Sequence, residues 1–109
     1  MLEKTLQRKV LTSLKKNKNV YSFKTIASND RGVLDIICCW NGRFVAIEVK
    51  AETGKLTVLQ ALTIEDIQKK GGAAYMVNSF IQFEKLSYLL DGAFKEPLPE
   101  PPKIKEMLC

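Results

Sequence analysis

The chain has 109 residues and a mass of 12.3 kDa, which suits one compact domain and leaves no room for a second core of comparable size. Hydrophobic residues make up 46% and charged residues 27% of the sequence, so the composition excludes wholesale disorder and fibrous repeats. The richest apolar stretch, residues 33–40, is far shorter than the ~20 residues that a membrane helix needs and contains Asp35, which excludes a membrane span.

The residue types limit the chemistry that the chain can perform. Histidine is absent, which excludes Ser-His and Cys-His nucleophile systems and the usual zinc ligands, so a metal ion would be held by oxygen. Three cysteines cannot all pair, and the neighbours Cys38 and Cys39 would point to opposite faces of a strand, so we expect reduced thiols. The N-terminal residues mix both charge signs, unlike a secretory signal, and we expect a cytoplasmic protein.

Positive charge is concentrated near the N-terminus. Residues 1–31 hold eight of the 17 Lys and Arg residues but two of the 12 acidic residues, so the rest of the chain is nearly neutral. A basic segment of this kind suits a polyanion such as nucleic acid, although a solvated lysine face explains it almost as well.

The first predicted element is an amphipathic helix over residues 2–16. Apolar residues recur there at helical spacing, at Leu2, Leu6, Val10, Leu11 and Leu14. Glu3 falls near the middle of this apolar arc, so the pattern predicts an acid that is aimed at the interior. Alternatively, Glu3 belongs to a fraying first turn, where the helix dipole favours an acid.

Three strands are predicted after this helix. Residues 20–26 alternate β-branched and aromatic side chains, and residues 33–40 and 43–50 are two largely apolar runs. The dipeptide Asn41-Gly42 separates these two runs, and Asn-Gly is the strongest short-range hairpin signal. The second and third strands are therefore predicted to form a hairpin.

The following segment predicts two helices around a short strand. Residues 57–60 match a capping box that opens a helix, and this helix ends at Gly71. Residues 73–78 suit a buried strand. A second capping-box pattern at residues 79–82 opens a helix that runs to about Leu90.

The resulting order, α-β-β-β-α-β-α, predicts an α/β fold with a mixed central sheet flanked by helices. We expect one domain over residues 1–92. Residues 93–109 then form a C-terminal tail that four prolines make stiff and extended, with a short apolar piece at its end.

The hairpin turn predicts which residues face each other. With a two-residue Asn41-Gly42 loop, Asp35 lies directly opposite Glu48, and Lys50 follows on the same face. The other face is almost entirely apolar and carries Leu34, Ile36, Cys38, Trp40, Val45, Ile47 and Val49. A slip of one residue would turn one strand over, so this prediction depends on the turn.

Two opposed carboxylates need a compensating feature, because like charges across a ladder are destabilising. One possibility is protonation of one acid; another is a divalent cation between them, with Lys50 adding positive charge. Oxygen ligands favour Mg²⁺, with Mn²⁺ able to substitute, and such an ion beside a lysine suits hydrolysis of a nucleic-acid backbone. A solvated sheet face is the structural alternative, although both acids are embedded in apolar runs.

Asp35 followed by Glu48-Val49-Lys50 on a hairpin resembles the PD-(D/E)XK nuclease signature. Residues 31–35, 41–50 and 56–60 with Gly71-Gly72 are similar to a stand-alone VRR-NUC domain of the kind found in phages and bacteria. The resemblance covers about residues 1–80 and implies a restriction-endonuclease-like core. Leu34 stands where the family has a proline before the aspartate.

The resemblance also implies roles for individual residues. The implied metal ligands are Asp35, Glu48, the backbone carbonyl of Val49, and Glu3. Lys50 is implied as the catalytic lysine, and Glu3 and Gln60 as further active-site residues. The capping box would by itself explain Gln60, so both interpretations of this residue stay open.

The family implies a Mg²⁺-dependent endonuclease that acts on branched DNA, similar to Holliday-junction resolvases, in a bacterial or phage-infected cell. Resolving a junction needs two cuts and the chain has material for one site, so a homodimer is expected. The basic residues expected to contact DNA are Lys4, Arg8, Lys24, Arg31 and Lys55.

Other functions stay open at this point. The chain could instead cut flaps, nick duplexes or act in restriction, or be a catalytically silent nucleic-acid-binding module of the same fold. We interpret the aromatic residues as core or strand packing in preference to base-stacking platforms, namely Tyr21, Phe23, Trp40, Tyr75, Phe80 and Phe83.

Overall fold

A computed structural model describes residues 1–26 and 32–107. Its elements are α1 (Glu3–Lys16), β1 (Val20–Lys24), β2 (Ile36–Trp40), β3 (Arg43–Val49), α2 (Val58–Lys69), β4 (Ala73–Val77), α3 (Phe80–Ala93) and α4 (Ile104–Met107). The predicted α/β class and the α-β-β-β-α-β-α order are confirmed. Within the described residues, no helix is both long enough and apolar enough to cross a membrane.

The four strands form one mixed sheet in the order β1-β2-β3-β4. β1 pairs with β2 and β2 with β3 in antiparallel fashion, whereas β3 and β4 are parallel. Parallel neighbours cannot be joined by a tight turn, and α2 provides the crossover between β3 and β4. The sheet is thus mixed, as predicted.

The predicted hairpin turn and register are confirmed. Asn41 and Gly42 have φ angles of 51° and 91°, the left-handed backbone that a two-residue type I′ turn requires. Trp40 pairs with Arg43, and the ladder continues in the same register to Ile36 and Ile47. β2 is shorter than predicted, because regular pairing begins at Ile36 and not at residue 33.

Each face of the sheet has its own apolar cluster. The larger cluster lies under α1 and α3 and consists of Leu6, Val10, Leu14, Ile36, Cys38, Trp40, Val45, Ile47, Val49, Val77, Phe83 and Leu90. The smaller cluster involves α2 and consists of Leu34, Ala46 and Ala74, with Ile37, Ile64 and Ile67 packed against it. The predicted apolar face is therefore correct except for Leu34. Because Leu34 precedes the regular strand, the alternation of side chains does not extend to it.

The stripe predicted for α1 is confirmed at Leu6, Val10 and Leu14, which are buried, and Leu11 packs against them in part. Leu2 is exposed and precedes the helix, so its place in the stripe is wrong. The expectation that Glu3 points into the interior is wrong, because Glu3 is exposed. It lies in the first turn of α1, before Leu6, the first residue of the helix that the core covers.

The helix starts follow the predicted capping patterns to different degrees. α2 begins with a complete capping box formed by Thr57 and Gln60. α3 begins with Ser79, whose side chain accepts a bond from the Gln82 N–H. The Gln82 side chain accepts a bond from the Asn78 N–H at 2.7 Å and not from the Ser79 N–H, so the second capping box is only half formed.

The first part of the C-terminal tail forms hydrogen bonds with the turn between β2 and β3. The Asn41 side-chain amide donates to the carbonyl of Phe94 at 2.7 Å and to that of Lys95 at 3.2 Å. The Arg43 guanidinium donates to the carbonyl of Glu96 at 2.5 Å and lies 5.0 Å from the centre of the Phe94 ring. These contacts stabilise the turn on which the register depends.

Candidate active site

Asp35 and Glu48 are held together at the open end of the β2–β3 hairpin. The Asp35 N–H donates to Glu48 Oε1 at 3.1 Å, and the Val49 N–H donates to Asp35 Oδ2 at 2.9 Å. Each carboxylate is thus oriented by the backbone of the opposite chain segment. The structure brings this predicted pair together as the hairpin register requires.

Two further contacts position the segment that carries Asp35. Thr25, which follows β1, donates from its N–H to the Asp35 carbonyl at 2.8 Å and from its hydroxyl to the Leu34 carbonyl at 2.9 Å. Gly32 has a φ of 81°, and a Cβ there would lie 2.7 Å from the Leu59 carbonyl oxygen of α2. No pattern in the sequence points to Thr25, because β1 and β2 are far apart along the chain and no short-range turn motif predicts their register.

The Glu48 carboxylate lies in an environment that opposes its charge. Glu48 is 3% exposed, and burial, followed by repulsion from Asp35, raises its pKa from 4.5 to about 7. Lys50 lowers the pKa of Glu48, because its positive Nζ lies 3.5 Å from Glu48 Oε2. A protonated Glu48 or a bound cation would relieve the repulsion between the two acids.

Gln60 performs both of the roles that the sequence left open. Its Oε1 accepts a bond from the Thr57 N–H at 3.0 Å, and its own N–H donates to the Thr57 hydroxyl at 3.1 Å. Its Nε2 donates to Glu48 Oε2 at 2.9 Å. The residue that caps α2 therefore also orients Glu48.

The donor set fits a hard divalent cation. Asp35 and Glu48 offer carboxylate oxygens at one place beside the Val49 backbone, and carboxylate oxygens that accept one hydrogen bond keep a second lone pair. The Val49 carbonyl as a further ligand stays a prediction. Mg²⁺ needs only one or two protein carboxylates, because it retains several waters. In residues 1–26 and 32–107, no three His, Cys, Asp or Glu side chains form a metal-binding group, so Glu3 does not join the pair there. Its role as a ligand stays a prediction.

Three of the basic residues expected to contact DNA share one groove. Lys4, Arg8 and Lys24 line a cavity of about 370 Å³ between α1 and the end of β1. Lys24 directly precedes Thr25, whose N–H donates to the Asp35 carbonyl. Lys55 is exposed between β3 and α2, and Arg31 lies outside the described residues.

The aromatic residues divide into two groups. Trp40 and Phe83 are fully buried, and the Trp40 indole donates to Asp91 Oδ1 at 3.0 Å, so their interpretation as core residues is confirmed. Tyr21 and Phe23 are not core residues, since they are 70% and 44% exposed, but their rings contact each other along β1 with 6.2 Å between the centroids, which is strand packing. They lie on the sheet face that α2 covers only in part.

Comparisons with known proteins agree with this architecture. The sequence matches no protein-family model and no curated protein. A solved structure titled "VRR_NUC domain" is similar to this chain, with a TM-score of 0.71 and 23% sequence identity over 81% of this chain and 96% of that one. The chain therefore has the fold of a VRR_NUC domain, as the sequence motifs predicted.

Proposed function

We propose that the chain is a Mg²⁺-dependent endonuclease that hydrolyses phosphodiester bonds in branched DNA such as four-way junctions. The observation that carries the proposal is the buried carboxylate of Glu48, held against Asp35 with Lys50 at 3.5 Å. A buried carboxylate beside a second, half-buried one destabilises a fold, so the pair calls for a cation or a proton in the working state. The similarity to the structure titled "VRR_NUC domain" adds support, because the motif residues resemble the nuclease family of that name.

The site residues have distinct roles in this proposal. Asp35, Glu48 and the Val49 carbonyl hold the cation, and Mn²⁺ can replace Mg²⁺. When bound, the cation supplies Lewis-acid stabilisation of the charge that grows on the phosphate oxygens. The Lys50 ammonium orients the attacking water or neutralises the same growing charge. Gln60 keeps the Glu48 carboxylate in one orientation through its hydrogen bond.

The groove of Lys4, Arg8 and Lys24 binds phosphates that flank the cut bond. Contacts of this kind position a duplex without reading its bases, which suits recognition of DNA shape. Because resolving a junction needs two cuts, the working form is a homodimer with one site in each copy.

A cleavage assay on matched substrates tests the proposal. A labelled four-way junction, a flap, a single strand and a linear duplex of shared sequence are incubated with Mg²⁺, Mn²⁺ or EDTA. We expect fastest cutting of the junction in either metal and none in EDTA. Equal cutting of all four substrates would contradict the junction preference, and cutting that persists in EDTA would contradict the metal dependence.

Two lysine variants separate catalysis from general charge. Lys50→Ala should abolish cutting while retaining junction binding in a gel-shift assay. Lys69→Ala is the matched control, because Lys69 forms an exposed i,i+4 pair with Glu65 on α2 and should leave cutting unchanged. A wild-type chain that binds the junction but cuts nothing in Mg²⁺ would instead be a silent binding module.

A further inference from the structure

Two exposed aromatic side chains lie on the same face of the sheet as Glu48. Glu48 is two residues from Ala46 on β3, and Ala46 faces α2. Phe23 pairs with Ile37 of β2, which packs against the same cluster, and Tyr21 is two residues from Phe23 on β1. Because alternate residues of a strand share a face, Tyr21, Phe23 and Glu48 all lie on the α2 side of the sheet.

The two rings begin close to the acid pair of Asp35 and Glu48 and lead away from it. Asp35 is two residues from Ile37 along the chain, and Phe23 lies opposite Ile37. At about 3.3 Å per residue, the backbone of Asp35 is roughly 7 Å from the row of Phe23 and roughly 13 Å from the row of Tyr21. The rings therefore form a line along the edge strand β1 that starts at the acid pair.

Positive charge lies at both ends of this line. At one end, the Lys50 ammonium is 3.5 Å from Glu48 Oε2. At the other end, Lys18 and Tyr21 line a groove of about 370 Å³ between the turn that precedes β1 and the hairpin turn. Within the described residues, the rest of the groove lining is uncharged. Surfaces that bind single strands of nucleic acid combine these two features, cations for the phosphates and ring faces for the bases.

Exposed rings on a sheet suit unpaired bases and not a duplex. Bases inside a duplex stack on each other and present only their edges, whereas an unpaired base can place its flat face on a ring. In one common class of RNA-binding domain, aromatic side chains on a four-stranded sheet stack two or three bases in this way. The rings of Tyr21 and Phe23 are inclined to each other by 53°, so they do not stack face to face and each is left to take its own base.

We propose that Phe23, Tyr21 and Lys18, which we call the β1 row, bind an unpaired DNA strand. One base stacks on Phe23, the next stacks on Tyr21, and Lys18 contacts a phosphate beyond them. The strand reaches the acid pair at the Phe23 end of the row. A protein partner is the other occupant that exposed aromatic rings suit, but the continuity with the acid pair and the lysine at the far end favour a polyanion with flat bases.

The β1 row narrows the substrate class of the proposed nuclease. Lys24 follows Phe23 on β1 and so faces the other side of the sheet, where it lines the groove of basic residues beside α1. Paired DNA on that groove and an unpaired strand on the β1 row would meet at the edge of the sheet. The preferred substrate is therefore DNA with unpaired nucleotides at its branch point. This use in cutting rests on the proposed function, whereas single-strand binding by the row does not.

Binding of a labelled oligo-dT strand in EDTA, measured by fluorescence anisotropy, tests the β1 row. Tyr21→Leu and Phe23→Leu keep apolar bulk but lose the ring, and each should weaken binding by at least about fivefold. Tyr21→Phe keeps the ring and should bind as tightly as the wild type. Tyr88→Leu is the matched control, because Tyr88 is exposed on α3 on the opposite side of the sheet, and it should also leave binding unchanged.

Alkylation of Cys39 shows where the strand binds. Cys39 lies opposite Tyr21 in the ladder and is exposed, whereas Cys38 is buried. In a Cys109→Ser background, saturating oligo-dT should slow the reaction of Cys39 with a maleimide by at least about fivefold. A fully paired duplex at saturation should leave the reaction rate unchanged, because it has no unpaired base for the row.

Three outcomes would overturn the proposal. The first is equal oligo-dT binding by the wild type, Tyr21→Leu and Phe23→Leu. The second is protection of Cys39 by the duplex as strong as that by oligo-dT. The third is a failure of oligo-dT to slow the alkylation, which would leave a protein partner as the occupant. If the leucine variants do not fold, Cys39 protection in the otherwise unchanged chain decides alone. A chain that binds oligo-dT through the row but cuts no substrate would count against the proposed function alone.

Discussion

The two faces of the sheet differ in what they bury. The face under α1 and α3 buries large side chains such as Trp40 and Phe83, and all the members of its cluster are apolar. The face towards α2 has small residues, Ala46 and Ala74, and carries Glu48 beyond them. The first face supplies stability, which allows the second to hold a buried charge that a marginal fold could not tolerate.

Replacing Glu48 should show most clearly that the face towards α2 supplies activity and the other face supplies stability. Glu48→Gln removes a proposed metal ligand and its charge. Losing a ligand should reduce activity at least as much as losing one of the hydrogen-bond partners that orient a ligand. We therefore expect cutting to fall by at least about 100-fold, while the free energy of unfolding at pH 8 in EDTA stays the same or rises. Cleavage rates and urea denaturation measure both effects.

The matched control for this variant is Glu65→Gln. Glu65 is exposed and pairs only with Lys69 within the described residues, so neither activity nor stability should change. A large loss of stability in Glu48→Gln, with activity retained, would make the acid pair a structural feature.

Truncation on the face under α1 and α3 should produce the opposite pattern. Phe83→Ala removes a fully buried ring and should lower the free energy of unfolding by about 3–5 kcal/mol. Below its melting temperature the variant should still cut, because Phe83 contributes nothing to the acid pair. Tyr88→Ala, at an exposed position of the same helix, should change stability by less than about 0.5 kcal/mol. Equal effects of the two variants on the free energy of unfolding would contradict the assignment of stability to the face under α1 and α3.

The sequence predicted those features that local patterns determine. The Asn41-Gly42 turn has one favoured geometry, so it fixed the register and with it the meeting of Asp35 and Glu48. Glu3 was misplaced because helical periodicity gives the direction of a side chain but not where the covered part of a helix begins. The sequence left open whether Tyr21 and Phe23 lie in the core or only pack along the strand, because burial depends on whether a helix lies over that part of the sheet, which no pattern within β1 encodes.

The pKa of Glu48 predicts how stability depends on pH in EDTA. Its folded pKa of about 7 exceeds the ordinary value of 4.5, so the folded state binds more protons than the unfolded state between these values. The contribution of Glu48 to the free energy of unfolding should be largest below pH 4.5 and should fall by up to about 3 kcal/mol as pH rises through 7. Glu48→Gln should lack this fall, and the difference between wild type and variant across pH isolates the Glu48 contribution. Parallel curves of stability against pH for wild type and Glu48→Gln would contradict the raised pKa of Glu48.

The smallest effects should come from variants around Gln60, whose side chain both caps α2 and donates a hydrogen bond to Glu48. Gln60→Glu keeps an oxygen for the Thr57 N–H but loses the donor to Glu48 and adds a third carboxylate. It should lower cutting by about 10–100-fold with little change in helix stability. Thr57→Ala should have the opposite effect. It removes the cap of α2, lowers the free energy of unfolding by about 1 kcal/mol, and leaves the Gln60 bond to Glu48 in place. If both variants lost only stability, the Gln60–Glu48 bond would have no part in cutting. If both lost activity equally, the position of α2 would control the site as a whole.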